Sequence, residues 1–268
     1  MDGRDWKRFL FPYEQAVEEL KIKFKTLRTE LKRREEYAPI EFVTGRVKKI
    51  SSILEKAKRL DVEMDDLETG IEDIAGIRIM CQFGEDIMLI AAMIRERQDM
   101  KVIYEKDYIT HKKESGYRSF HVIVEYPVQT SLGMKRVLAE LQIRTLAMNF
   151  WATIEHSLSY KYKGSVLPED VRIRLSRAAE AAYILDQEMS NIRDEIVTAQ
   201  IAFEDDSSVV TKVLNDIQEL FYYHRVREAV QFQLRFNELW GNDEGEMRKL
   251  SKEVEAAMVK AKSANRVQ

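Results

Sequence analysis

Two long stretches of the chain carry apolar residues at alternating spacings of four and three, which is the pattern of a helix with a narrow apolar seam. The first stretch begins at Tyr13, and we expect Pro12 to open its helix. The second follows the segment SVLPED, which is typical of a helix start. The two seams consist of Val17, Leu20, Phe24, Leu27 and Leu31, and of Val171, Leu175, Ala178, Ala182, Leu185, Met189, Ile192, Ile196 and Ala199.

The segment between these helices alternates between strand and helix patterns. Period-two alternation predicts strands near 77–83, 101–105, 120–126 and 136–145. Helical periodicity predicts helices near 46–59, 86–97 and 145–160. The pattern therefore predicts an α+β fold, in which a mixed sheet is flanked by helices and framed by long N- and C-terminal helices.

From Asp205 the chain again looks helical, with a break at GNDEGE and a short last helix. We expect a domain over 1–204, including the flanking helices, and a C-terminal helical extension over 205–268 whose role the pattern does not indicate.

Composition limits the class of protein. With 268 residues, 45% hydrophobic and 33% charged, the chain is globular rather than disordered. It contains no apolar run near the roughly 20 residues that span a bilayer, and its start, MDGRDWKRFL, lacks the apolar stretch of a signal peptide. We therefore expect a cytoplasmic protein without a membrane partner. The single cysteine, Cys81, lies in the apolar run GIRIMCQF and is expected to be a buried thiol.

The strand in RVLAELQIRT is the most informative one. If Val137, Ala139, Leu141 and Ile143 form its apolar face, then Leu138, Glu140, Gln142 and Arg144 point to the opposite face. A carboxylate, an amide and a guanidinium in line suit a binding site. The alternative is a solvated sheet face.

A second acidic residue, Asp73, precedes the strand in EDIAGIRIMCQF, where Arg78 points away from the core. Asp73 could be only a turn residue. If this strand lies beside the strand of Glu140, however, the two carboxylates can hold magnesium together with substrate phosphates. The pair would then imply a nucleotide.

The segment TGRVKKISSILEKAKR predicts a helix with a cationic stripe. Lys48, Ser52, Lys56 and Arg59 share this stripe, and Gly45 before it would let the backbone approach a ligand. The alternative is a solvated basic face. Neither a Walker loop nor a dinucleotide glycine fingerprint is present.

A further cluster lies at the start of the strand in KESGYRSFHVIVEYP, where Tyr117 has basic neighbours. A phosphate cradle, two carboxylates and an aromatic ring with cations suit phosphoryl or pyrophosphoryl transfer, in which the protein positions groups and neutralises charge.

These residues resemble the synthetase domain of the RelA/SpoT family, and within it the single-domain small alarmone synthetases of the RelQ type. The resemblance covers roughly 5–203 and rests on APIEFVTGRVK, EDIAGIRIMCQF, KESGYRSFH, AELQIRTLAMNFWATIEHSL and YKYKG. It implies a nucleotidyltransferase-like sheet and a homotetramer built through the flanking helices. It also implies transfer of the β,γ-pyrophosphate of ATP to the 3′-hydroxyl of GTP or GDP, which gives pppGpp or ppGpp and AMP.

The resemblance also implies roles for individual residues. Arg46 and Arg78 would sandwich adenine, and Lys48, Ser52, Lys56 and Arg59 would hold the ATP phosphates. Asp73 and Glu140 would bind Mg2+, and Glu140 would take the proton of the 3′-hydroxyl. The acceptor residues would be Tyr117, stacked on guanine, with His121, Gln142 and Arg144 nearby and Lys106 and Lys113 at the phosphates.

The family likeness further implies activation by the product in a cleft between subunits. The matching positions are Lys21, Lys25, Arg28, Glu41, Phe42, Thr44, Gly45 and Asn149. Lys21, Lys25 and Arg28 form a cationic stripe able to bind phosphates, and the alternative is a solvated basic face.

No alarmone hydrolysis is expected, because none of His111, His121, His156 and His224 precedes an aspartate as an HD-type metal motif requires. His156 is interpreted as a structural helix residue. Two other functions stay open. One is a regulator that binds single-stranded RNA through the basic region 21–49, and the other is a nucleotidyltransferase that releases pyrophosphate.

Overall fold

The computed structural model describes residues 5–161, 168–223, 225–239 and 244–265. The chain divides into two compact units, Met1–Ser190 and Asn191–Gln268. Helix α6, Glu169–Tyr222, contributes residues to both units. The functional division after residue 204 stays a prediction.

A five-stranded sheet forms the centre of the first unit, with the spatial order β1-β2-β5-β4-β3. The strands are β1 Phe42–Val47, β2 Ala75–Cys81, β3 Lys101–Asp107, β4 Phe120–Thr130 and β5 Gly133–Thr145. Strands β2 and β5 pair in parallel, and the other neighbours pair antiparallel. The predicted α+β fold with a mixed sheet is confirmed.

One face of this sheet carries the main core. Ile77, Leu141 and Val122 are fully buried there, together with Leu20 and Phe24 of the N-terminal helix. Burial of each such side chain contributes roughly 1.5–3 kcal/mol. The helices that precede the second unit are α1 Trp6–Arg33, α2 Ile50–Leu60, the 3-10 turn Met64–Asp66, α3 Leu67–Gly70, α4 Asp86–Arg95 and α5 Leu146–Lys161.

A smaller apolar cluster joins α5 to the first part of α6. Met148, Trp151 and Ala152 of α5 pack with Ala179 of α6, and Tyr117 lies against them. The indole Nε1 of Trp151 donates a hydrogen bond to the carbonyl of Leu175 at 2.9 Å. This cluster holds the segment around Tyr117 in place.

Four details of the predicted elements were wrong. Helix α1 begins at Trp6, capped by Asp5, so Pro12 lies inside it rather than at its start. Arg46 belongs to β1, a strand that the sequence pattern missed, and the helix after it begins only at Ile50. Helix α6 ends at Tyr222, a break that the sequence pattern missed, and the last helix, Glu244–Asn265, is 22 residues long rather than short. Of the predicted break at GNDEGE, residues 241–243 lie outside the described residues.

The second unit is helical. The C-terminal part of α6, α7 Val226–Leu239 and α8 Glu244–Asn265 enclose their own core. Its fully buried residues include Val213, Ile217, Leu220, Ala229, Leu250 and Val254. None of the described helices combines the length and apolar character needed to cross a membrane.

Candidate active site

Polar side chains form a row across the sheet, on the face opposite the main core. In register, Thr44 of β1 pairs with Arg78 of β2, and Arg78 pairs with Gln142 of β5. Gln142 pairs with His121 of β4, which pairs with Lys106 of β3. Because partners in register point to the same side of a sheet, all five strands contribute to one polar surface.

Five of the side chains on this surface close a ring of hydrogen bonds. The ring nitrogens of His121 lie 2.9 Å from Glu140 Oε1 and 2.9 Å from Tyr117 Oη. Arg144 Nη2 donates to Tyr117 Oη at 2.9 Å and also to Gln142 Oε1. Gln142 Nε2 donates to Glu140 Oε2 at 2.6 Å. A neutral His121 with its proton on Nδ1 satisfies every bond, since it donates to Glu140 and accepts from Tyr117.

Glu140 is held in its ionised form by this ring. Its side chain is only 13% exposed. Burial alone would raise its pKa, but the hydrogen bonds from His121 and Gln142 outweigh burial and lower the pKa to about 2. The carboxylate is therefore charged and fixed in direction at neutral pH.

Cations and aromatic rings surround Tyr117. Lys113 Nζ lies 5.1 Å from the centroid of the Tyr117 ring and 4.5 Å from that of Tyr108. Arg144 Cζ lies 5.3 Å from the Tyr117 centroid. These cation–π contacts hold the Tyr117 side chain in place and surround its ring with positive charge. Gly116 precedes it with a φ of +86°, a conformation that suits glycine.

A cationic groove of about 940 Å³ lies beside this surface. Helix α2 presents Ser52, Lys56 and Arg59 to it, β1 adds Arg46, and Lys48 lies directly after β1. The predicted cationic stripe thus lines a real concavity. His156, which lies in helix α5 as expected, also lines the groove and is exposed, and its structural role stays a prediction.

Asp73 joins the groove to the polar surface. It accepts hydrogen bonds from Lys48 Nζ at 2.7 Å and Lys56 Nζ at 2.8 Å. Burial opposes ionisation of Asp73, yet the two lysines lower its pKa below the ordinary value. Asp73 and Glu140 line one cavity of about 100 Å³, because β2 and β5 are parallel neighbours with Gly76 in register with Glu140.

The arginines of this cavity include Arg46 and Arg78. Burial lowers the pKa of Arg78, and the nearby charges of Arg144 and Arg46 lower it further. Gly45 also lines the cavity, but a Cβ there would lie 2.9 Å from Ile77 Cδ1 and Val17 Cγ1. Because Gly45 has no side chain, Ile77 and Val17 can pack against its backbone on the core side, while the same backbone lines the cavity on the other side.

One predicted acceptor residue, Lys106, has additional partners. Lys106 Nζ pairs with Glu72 at 3.1 Å and lies 4.9 Å from the centroid of the Tyr104 ring. Glu72, Tyr104 and Tyr108 are neighbours of the site that the sequence analysis missed. The position of Glu72 directly before Asp73 could have indicated it, whereas nothing in the local pattern distinguished Tyr104.

The predicted effector residues are divided between the two faces of the sheet. On the α1 side, Lys21 lies against Gly45, and Arg28 donates to the carbonyl of Ile40 at 2.9 Å and pairs with Glu41 at 3.6 Å. Thr44 and Phe42 point to the opposite face, and Lys25 is exposed. Asn149 lies in α5. One chain therefore does not gather all eight residues into a single patch.

Comparisons with known proteins agree on one family. Residues 45–165 match the model of the region found in RelA / SpoT proteins. The chain is 58% identical over 203 residues to the GTP pyrophosphokinase YjbM of Bacillus subtilis, covering 76% of this chain and 95% of that protein.

Two solved structures of a relative carry nucleotides. The small alarmone synthetase 1 of Bacillus subtilis bound to its product pppGpp superposes with a TM-score of 0.68 at 59% identity, covering 71% of this chain and 97% of that one. The structure of the same enzyme bound to AMPCPP gives a TM-score of 0.63 at 54% identity, covering 72% and 98%.

Proposed function

The chain belongs to the RelA/SpoT family, among its small alarmone synthetases, and from this premise we propose that it transfers the β,γ-pyrophosphate of ATP to the 3′-hydroxyl of GTP or GDP. The products are pppGpp or ppGpp and AMP. The observation that supports this function best is the cavity shared by Asp73 and Glu140. It lies between the cationic groove and the hydrogen-bonded ring of Glu140, His121, Tyr117, Arg144 and Gln142.

The groove suits the donor nucleotide. Lys48, Ser52, Lys56 and Arg59 would bind the phosphates of ATP, since ammonium and guanidinium groups are strong donors to phosphate oxygens. Arg46 and Arg78 would stack on the two faces of adenine, as planar guanidinium groups do. Lys48 and Lys56 exchange their bonds to Asp73 for bonds to phosphate when ATP binds.

Asp73 and Glu140 fit a magnesium ion. Both are ionised oxygen donors in one cavity. Nowhere in the described ranges, this cavity included, do three or more His, Cys, Asp or Glu side chains form a group that could hold a metal, so substrate phosphates would have to complete the coordination. Mg2+ is typically held by one or two carboxylates together with substrate phosphates. When bound, the ion supplies charge neutralisation for the transferred pyrophosphoryl group.

The hydrogen-bonded ring suits the acceptor nucleotide. Tyr117 would stack on guanine, and Lys113 and Lys106 would meet its phosphates. Glu140 accepts a hydrogen bond from the 3′-hydroxyl and orients the oxygen toward the β-phosphorus. Because a carboxylate with so low a pKa is a weak base, it receives the proton only as the new O–P bond forms and the bond to AMP breaks.

One assay tests the reaction class. The protein is incubated with ATP, GTP and magnesium, and the nucleotides are separated by anion-exchange chromatography. We expect AMP and pppGpp to appear in equal amounts. Release of free pyrophosphate instead of AMP would identify a different nucleotidyltransferase and would refute the proposal.

We also propose that the product activates the enzyme through Lys21, Lys25, Arg28, Glu41, Phe42, Thr44, Gly45 and Asn149. Support comes from exposed Lys25 and from Phe42, whose side chain is 39% exposed. Since the eight residues lie on two faces of one chain, subunits of a homotetramer would complete the site. Added pppGpp should raise the rate, and Lys25→Ala with Phe42→Ala should remove the response while leaving the basal rate unchanged.

Two further properties belong to the proposal. The enzyme acts in the cytoplasm and does not hydrolyse its product, so pppGpp incubated with the protein and manganese should persist.

The alternative function is regulation through single-stranded RNA, supported by the basic face of α1. RNA binding would fall steeply with salt and would survive loss of both carboxylates, which separates it from catalysis.

A further inference from the structure

Helix α7 of the second unit is apolar on two different faces. Ala229 and Phe236 on one face are buried in the core of that unit. The other face carries Val226, Val230 and Leu234, whose side chains are 52%, 44% and 59% exposed. Residues 45–165 match the family model, so α7 lies outside the part of the chain that the model covers. The proposed synthetase chemistry therefore does not account for this second apolar face.

The three exposed residues form one stripe along α7. They follow one another at intervals of four, and each such step turns only about 40° around a helix, so Val226, Val230 and Leu234 lie one above the next. Single exposed apolar residues are ordinary on a protein surface. A row of them along one helix is instead the pattern of a face that packs against another helix.

Two exposed charges of opposite sign flank the stripe. Arg227 stands near its start and Glu238 near its end, about three helical turns away, so both lie on the same side of the helix and about 16 Å apart along its axis. Arg235 of the same helix pairs with Glu253, whereas neither Arg227 nor Glu238 has an ion-pair partner among the described residues. The helix therefore presents an apolar stripe with a free cation at one end and a free anion at the other.

This pattern is complementary to itself when it is reversed. We propose that α7 pairs antiparallel with α7 of a second copy of this chain. When the pair is centred on the middle of the helix, Val230 lies nearly level with Leu234 of the partner subunit, and Arg227 lies level with Glu238 of the partner subunit. The two-fold symmetry repeats both contacts. A parallel pair would instead place each charge level with its own copy, and like charges repel.

The contact is separate from the proposed homotetramer, which is built through the flanking helices. A single pair of 14-residue helices is small compared with a stable protein interface. It is therefore weak by itself, and it gains strength where other contacts already hold copies of the chain together. A test by covalent capture suits such a contact, because it does not require a tight dimer.

The test is zero-length carbodiimide cross-linking of the full chain carrying Arg227→Lys, a substitution that keeps the charge and supplies a reactive amine. The reagent joins an amine to a carboxylate only where the two are in contact. Within one helix position 227 and Glu238 are about 16 Å apart, so a peptide that joins them must come from two copies. We expect mass spectrometry to identify this peptide. The pair of Lys212 and Glu255, 2.9 Å apart within one chain, is the internal standard.

A second substitution locates the contact on the stripe. Leu234→Glu, added to Arg227→Lys, should lower the yield of the peptide joining positions 227 and 238 at least about ten-fold, because it places a charge between the apolar side chains. Val259→Glu is the matched control, since Val259 is 63% exposed on α8 of the same unit, and it should leave that yield unchanged. The link between Lys212 and Glu255 should form in every variant and shows that the unit is folded. With that standard present, absence of the peptide joining positions 227 and 238, or an unchanged yield in Leu234→Glu, would overturn the proposal.

Discussion

Glu140→Gln is the substitution that tests the site most directly. Gln has nearly the same shape, but it carries no charge and places an NH2 group where Glu140 has a second acceptor oxygen. Glu140 receives bonds from His121 Nδ1 at 2.9 Å and from Gln142 Nε2 at 2.6 Å. One of these two donors would then face the NH2 group of the new side chain, and that hydrogen bond of the ring would be lost.

The cost in stability can be worked from the pKa of Glu140. It falls from 4.5 to about 2 in the folded protein, and at about 1.4 kcal/mol per pKa unit the ionised form gains about 3 kcal/mol. Because the folded pKa is depressed, this stabilisation is present above pH 4.5 and is lost as the pH falls toward 2. Glu140→Gln should therefore lower the unfolding free energy by about 2–3 kcal/mol at pH 7 and by much less at pH 3.

The cost in activity is expected to be larger. Loss of a positioned proton acceptor typically reduces a rate by about 10²–10⁴-fold, and Glu140→Gln also removes one proposed metal ligand. AMP formation from ATP and GTP measures the rate, and urea unfolding measures stability. Glu125→Gln is the matched control, because Glu125 lies in the same sheet but forms only a partly exposed pair with Arg136. A folded Glu140→Gln protein with wild-type turnover would refute the assignment.

Three other substitutions test neighbouring parts of the structure. Gly116→Ala should destabilise the protein by about 1–3 kcal/mol in urea unfolding, because φ is +86° and the new Cβ would lie 2.6 Å from Ala179 Cβ. Gly133→Ala is the control and should cost less, because Gly133 has a φ of +110° but open space around it. Lys56→Ala should raise the KM for ATP roughly ten-fold or more with little change for GTP, whereas exposed Lys58→Ala should change neither, as steady-state kinetics will show. Burial raises the pKa of Asp186 to about 6 despite its hydrogen bond from Thr145, so the folded state is strained by the charged carboxylate at high pH. Asp186→Asn should therefore stabilise the protein by about 1–2 kcal/mol at pH 8. A gain in urea unfolding that persists below pH 4 would contradict this reasoning.

Local patterns predicted most of the elements because their faces differ clearly in polarity. In β5, Val137, Ala139, Leu141 and Ile143 occupy alternate positions and are all buried, and Leu138 is the one apolar residue of this stretch on the other face. The missed strand β1 shows why other elements escaped prediction. FVTGRV has one buried valine, a glycine and two exposed polar residues, and it is held by pairing with β2 rather than by its own pattern.

The candidate site was predictable in its chemistry but not in its connections. The acids and cations of β5 and α2 stand out in the sequence, and the lining of the groove agrees with the predicted stripe. The contacts between Lys106 and Glu72, or between His121 and Glu140, depend on which strands are neighbours. Strand order is a property of the whole fold, so no window of sequence contains it.

The hydrophobic core itself fixes the geometry of the proposed chemistry. Side chains alternate between the two faces of a strand, so a slip of β5 by one residue would turn Glu140 and Gln142 into the core and Leu141 out of it. Val137, Ala139, Leu141 and Ile143 are at most 2% exposed, and exposing the larger ones would cost roughly 1.5–3 kcal/mol each. That penalty exceeds the net contribution of about 0.5–1.5 kcal/mol expected from a typical hydrogen bond. The ring around Glu140 thus depends on a register that apolar burial on the opposite face of the sheet selects.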